Sequence, residues 1–139
     1  MKNEPVLFLK IFGQPQIKKN SQKVIYHKYL HRNIVVYSAA YTGWKNDCLK
    51  QMMMKRIKLE IDYPITLCLH FYVKDNRKKD ISNLYPGIED ILVEAKVLAD
   101  DNYKIVANHN GSKVELDTEN PRTEITILRL NEEAEAVHH

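Results

Sequence analysis

The 139-residue sequence has only two cysteines, Cys48 and Cys68, with no C-x-x-C and no cluster of cysteine and histidine around them. That scarcity excludes a disulfide framework and a thiolate zinc site, and it leaves two interior thiols of a reduced protein, for which a cytoplasmic location is expected. Long apolar runs are missing too. The longest, VLFL at 6–9 and ITLCL at 65–69, fall far short of the roughly 20 residues that a membrane-spanning helix needs. The opening MKNEPVL lacks the apolar stretch of a signal peptide. Neither internal repeats nor low-complexity tracts are present, and the net charge is only +3, so the total charge implies no polyanionic partner.

What the sequence does contain is uneven charge and clear periodicity. Lys18, Lys19, Lys23, Lys28 and Arg32 crowd one segment, and Lys74, Arg77, Lys78 and Lys79 crowd another. A compensating acidic surplus lies in 115–135, with seven acids against two arginines. Length and composition indicate one domain, residues 1–130, followed by a flexible tail, 131–139, whose terminal His138 and His139 stand apart from the fold.

PVLFLKIF at 5–12 reads as a first strand closed by a G-Q-P turn, and KVIYH answered by NIVVY reads as a short hairpin within an exposed basic segment. Ser38 is placed to cap a helix reaching about Arg56, with Tyr41, Trp44, Cys48, Leu49, Met52 and Met53 at three-and-four spacing. PITLCLHFYV at 64–73 alternates as a strand, and His70 is a polar residue on it. Leu84, Ile88, Ile91, Leu92 and Ala95 form one helical stripe, with Ser82 as the expected N-cap and Pro86 then falling at the fourth helical position. Strands at about 103–108 and 123–130 complete an α+β fold, two main helices on a mixed sheet of four to five strands.

The second helix is bracketed by acids, Asp80 before it and the pair Asp100 and Asp101 after it. An acid at a helix N-terminus is favoured by the macrodipole, whereas the far pair gains nothing from it. Adjacent carboxylates repel unless they are solvated or share a cation. A hard divalent ion held by Asp80 and one or both of Asp100 and Asp101 suits phosphodiester chemistry, while ordinary cap and turn chemistry accounts for the same residues without one. Asn83 and Asp90 lie seven apart on one helix side and read either as groups orienting such ligands or as exposed polar residues. His27 and His31 lack a third ligand for zinc.

Four stretches in order resemble the RusA family of Holliday-junction resolvases, small Mg²⁺-dependent endonucleases often carried by prophages. These are the first strand running into GQPQIKK, VYS before a helix with Tyr41 and Trp44, the basic run into DISNL, and VLADDN. The resemblance covers Phe8 to about Leu130. It implies a RusA-like fold and a homodimer acting on branched DNA in recombination and repair, with Mg²⁺ (or Mn²⁺) and no small-molecule cofactor or membrane. It also implies Asp80 and Asp101 as metal ligands with Asp100 assisting, and Asn83 and Asp90 behind them. Lys18, Lys19, Lys23, Lys28, Arg32, Arg77, Lys78 and Lys79 would contact DNA, with Tyr26 and Tyr29 against unstacked bases. Two positions depart from the family pattern: Ser82 stands where a further aspartate ligand is expected, and Pro86 where a lysine often lies. Ser82 offers a neutral oxygen, so metal affinity is expected to fall. The alternative is therefore a branched-DNA-binding module with weakened or lost catalysis. A nuclease for flaps or RNA and a protein-interaction domain are the remaining readings.

Overall fold

In the computed structural model, residues 3–18, 23–75 and 81–130 are described; of Asn3, Ile81 and Ser82 only the backbone is. The elements in chain order are β1 (Asn3–Phe12), β2 (Lys23–His27), β3 (Arg32–Val36), α1 (Ala39–Met54), β4 (Ile65–Val73), α2 (Ile81–Glu94), β5 (Val106–Asn108), β6 (Lys113–Leu116) and β7 (Arg122–Leu130). Alternation decides which side of each long strand faces the core. Leu9 and Ile11 of β1, Leu67, Leu69 and Phe71 of β4, and Ile125 and Ile127 of β7 are all buried. Both helices cover that side of the sheet.

The five-stranded sheet runs β1-β7-β4, antiparallel throughout, and beyond β4 its edge is shared lengthwise by two short parallel partners. β5 pairs with the start of β4 and β6 with its end. The β4-α2-β5 crossover is thus a parallel unit joined to the antiparallel strands β1 and β7, the mixed sheet expected from the pattern. The hairpin β2-β3 forms a separate two-stranded sheet.

Ser38 caps α1 as its sequence position predicts, its hydroxyl accepting the Tyr41 N–H at 3.1 Å. From the predicted stripe Tyr41, Trp44, Cys48 and Met52 are buried, but Met53 is 73% exposed and belongs to no core. α2 begins earlier than predicted: Ile81 already belongs to it, so Ser82 lies inside the helix rather than capping it, and Pro86 is the sixth residue. Proline there removes one N–H to carbonyl bond from the ladder, and burial of Leu84, Ile88, Ile91 and Leu92 on one face supplies the compensation. The strand expected at 103–108 shortens to β5, because Asn102 draws the Ile105 and Val106 N–H groups into a turn (3.0 and 2.9 Å). β6 follows no strong sequence signal; its KVEL pairs on only one side, with β4. Cys48 and Cys68 are free thiols, and burial pushes the Cys48 thiol up to about 12. Among the described residues no helix is long and apolar enough to cross a membrane.

α1 meets α2 at Gly87. A Cβ added there would come within 3.2 Å of both the Trp44 and Tyr41 rings. The absent side chain lets two aromatic residues of α1 lie on the α2 backbone. Gly87→Ala is expected to overpack this contact and lower stability by about 1–3 kcal/mol, read as a lower urea midpoint at unchanged slope. An unaltered midpoint would mean that the helices part without cost.

Candidate functional site

α2 carries Asn83, Gly87 and Asp90 along one side, and Gly87 brings that side against α1. The polar end of the row is met by a residue from far away in the chain. Leaving β1, the segment 13–18 passes over the helices, and the Lys18 ammonium bonds the Asp90 carboxylate. The same ammonium sits 5.4 Å from the centre of the Tyr37 ring, which in turn packs on Tyr41 at 5.4 Å. Partial burial alone would lower the Lys18 ammonium; the bond to Asp90 and its charge, with smaller help from Tyr37 and Asp101, hold it above its ordinary value. Tyr41 is fully buried with no partner for its hydroxyl among the described residues. Burial, then the charge of Asp90, pushes that phenol far upward.

The turn after α2 presents the two adjacent aspartates in different states. Asp100 is satisfied locally: one oxygen accepts the Asp101 N–H at 2.7 Å and the other the Asn102 amide at 3.1 Å. Those bonds, the Asp101 N–H first, hold its carboxyl below the usual range. Asp101 is shifted the opposite way, by partial desolvation and then by the charges of Glu89 and Asp100. One acid of the pair therefore builds the turn, and its neighbour is partly desolvated beside other carboxylates.

Glu89 comes from α2, beside Asp90 in sequence. Its Oε1 lies 2.7 Å from His109 Nε2, and the His109 ring stacks on Tyr85 at 4.0 Å with only 10° between planes. The sequence reading missed these three residues. Tyr85 and Glu89 are four apart on one helix and were open to detection as a face; His109 reaches them only through the turn between β5 and β6.

The hairpin rises from this cluster, since Lys18 precedes it and Tyr37 follows it. From Pro5 to Asn46 the chain holds no acidic residue. Lys23, Lys28 and Arg32 are exposed along the hairpin beside Tyr26 and Tyr29, the latter 89% exposed in the turn. His27 is used within that turn, its Nδ1 accepting the Leu30 N–H at 3.1 Å, and His31 stands in the left-handed conformation at φ 51°. His70 lies on the sheet side opposite the helices, stacked on Tyr72 at 4.3 Å and 3.3 Å from Glu115, away from the carboxylates of α2.

Of the residues singled out by sequence, the fold thus gathers Lys18, Asp90 and Asp101, with Asp100 in the same turn and Asn83 further along α2. Lys23, Lys28 and Arg32 share the hairpin. Asp80, Lys19, Arg77, Lys78 and Lys79 lie outside the described residues, as does the side chain of Ser82. Among the described residues no group of three or more histidine, cysteine or acidic side chains converges on a common point. The donor chemistry at Asp101 nevertheless fits a hard divalent ion, which takes carboxylate oxygens, and partial desolvation followed by the charge of Glu89 raises the proton affinity of this carboxylate.

Carboxyl titration followed by NMR is expected to place the Asp100 midpoint below the ordinary aspartate value and the Asp101 midpoint above it. As the folded value of Asp101 exceeds the unfolded one, its contribution to stability is full in acid and is lost as pH rises through the folded value. Glu89→Gln should bring the Asp101 midpoint down; no movement would show that Glu89 does not act on it.

Against known families, the chain matches endodeoxyribonuclease RusA over residues 13–128. No curated protein matches it.

Proposed function

Because the chain belongs to the RusA endodeoxyribonuclease family, whose members resolve Holliday junctions, we propose that it is a Mg²⁺-dependent nuclease that cuts branched DNA as a homodimer, with Asp101 at the centre of its site. One observation carries this reading: behind α2 the Asp100 carboxylate is bound within the turn by the Asp101 N–H and the Asn102 amide, whereas that of Asp101 is partly desolvated beside the charges of Glu89 and Asp100. Asp80 and Asp101 would hold the ion, with the Ser82 oxygen as a weaker, neutral donor. Bound there, a divalent ion supplies Lewis-acid polarisation of a phosphodiester and lowers the pKa of water.

The remaining work falls to the chain itself. Asp100, fixed by the Asp101 N–H and the Asn102 amide, sets the turn and hence the aim of its neighbour. Asp90 anchors Lys18 at the carboxylate cluster, where its ammonium offers positive charge to an approaching phosphate oxygen. Lys23, Lys28 and Arg32 bind backbone phosphates along the hairpin, contacts that position a duplex without reading its sequence. Tyr26 and Tyr29 are placed to stack on bases unpaired at a branch. Two symmetric cuts require two such sites, which a twofold dimer supplies.

A second reading rests on Ser82 and Pro86, which replace an acidic ligand and a lysine of the family pattern: the chain binds branched DNA and cuts it slowly or not at all. A synthetic four-way junction with Mg²⁺ separates the two. Paired nicks that disappear in Asp101→Asn and in Asp80→Asn, while junction binding persists, are the outcome expected of the nuclease. Tight binding without nicks in the parent chain, and nicking gained by Ser82→Asp, would establish the second reading instead. Absence of junction binding even at low salt would remove both. Substituting Ala for Lys23, Lys28 and Arg32 together should flatten the dependence of log affinity on log salt by about 0.9 for each phosphate no longer neutralised; an unchanged slope would place the DNA elsewhere.

A further inference from the structure

The two helices end side by side, and the space between their ends shares no lining residue with the hairpin or with the Asp101 turn. α1 stops at Met54 and α2 at Glu94. Just past each end a residue takes the left-handed conformation, Arg56 at φ 55° and Lys96 at φ 62°. Glycine is the usual occupant of that position because a Cβ is unfavourable there. Here a long cation stands at each.

Between the helix ends lies a cavity of about 700 Å³, a size that suits a small ligand or a few peptide side chains, roughly 300 to 1,000 Å³. Its floor is apolar, made by Leu49, Met52, Ile57 and Ala95, and the exposed Met53 stands at its mouth. Arg56, Lys58 and Lys96 ring the opening. Glu94, the one acid among the lining residues, is taken by Lys45 of α1 at 2.8 Å, and Glu60 lies next to Lys96, its N–H bonding the Lys96 carbonyl at 2.9 Å. Among the described residues, none of the three ring cations has an acidic partner. Arg56 and Lys96 also meet the partial negative charge of the helix C-termini. Lys58 sits on neither helix, and that explanation does not reach it.

We propose that this cavity is a docking site for a peptide segment of a partner protein that carries an apolar side chain next to several carboxylates. The charge complementarity names the occupant. The three cations come from the end of α1, the segment after it and the segment after α2, so they surround the mouth; a single carboxylate meets only one of them, whereas a run of acids along a peptide meets all three. The apolar floor receives the neighbouring side chain, and methionine, with its flexible and polarisable thioether, adapts to varied shapes. The site shares no residue with the Lys18, Asp90 and Asp101 cluster or with the hairpin, and its occupation does not depend on nuclease activity.

Fluorescence anisotropy with a fluorescein-labelled peptide, Glu-Asp-Glu-Leu-Phe-Leu, tests the site on the full chain at low salt. Saturable binding is expected, weakened roughly tenfold or more by Lys96→Glu and by Met53→Glu. Both residues are exposed, so unchanged thermal unfolding of the two variants is expected and confirms that their folds persist. Lys23→Glu in the hairpin should leave the affinity alone, and a peptide with lysines in place of its acids should not bind. The proposal is overturned if the cavity variants bind as the parent does, if a duplex oligonucleotide displaces the peptide, or if no anisotropy change occurs up to about 1 mM peptide. Binding of dodecanoate at the cavity without binding of the peptide would overturn it equally, by assigning the site to a fatty acid.

Discussion

The position of the functional cluster depends on how closely α1 lies on α2. Gly87 has no side chain, so the Trp44 and Tyr41 rings lie against the α2 backbone. Tyr41 then supports Tyr37, Tyr37 lies beneath Lys18, and Lys18 bonds Asp90 one turn further along α2. A contact between two helices is in this way passed on to the segments before and after the hairpin. An isolated two-stranded hairpin is marginal in water; here the segment before it is tied to α2 by the Lys18–Asp90 ion pair and the segment after it to α1 by the tilted Tyr37 and Tyr41 rings.

Much of this architecture could be read from the chain. Period-two alternation marked β4 because one side of it faces the helices and the other does not, and the Ser38 cap and its stripe marked α1. The failures have physical causes. Ser82 resembles an N-cap, but tertiary burial of Leu84 and its successors extends α2 back through it. Met53 matches the spacing of the α1 core, but Met52 beside it takes the core side of that turn and Met53 faces outward. β6 has neither length nor alternation of its own, and its pairing is decided by β4. Asn102 ends the strand expected from Tyr103 by offering both its carbonyl and its side chain to the following N–H groups.

The site was legible in part, and the division follows the range of the interactions. The Asp100 and Asp101 pair was visible as an electrostatic anomaly in the sequence, but their unequal states were not: these arise from local hydrogen bonds on one side and from partial desolvation and then Glu89 on the other. The attachment of Lys18 to Asp90 joins positions 72 residues apart, and no local pattern encodes it. The basic segment was legible as composition alone; its form as a free-standing hairpin above the cluster comes from the fold. His109 was unreachable for the same reason, since its partners Glu89 and Tyr85 lie across the crossover.

The hairpin has a consequence for behaviour in solution. β2 and β3 pair only with each other among the described strands, so each presents an outer row of backbone donors and acceptors, beside the exposed Val24, Tyr26 and Val35. Such rows invite strand addition by another copy and, from there, aggregation. Lys23 and Arg32 at the starts of the two strands and Lys28 in the turn discourage that self-recognition through mutual repulsion. Cations that a phosphate backbone would neutralise thus double as gatekeepers of colloidal stability while no nucleic acid is present.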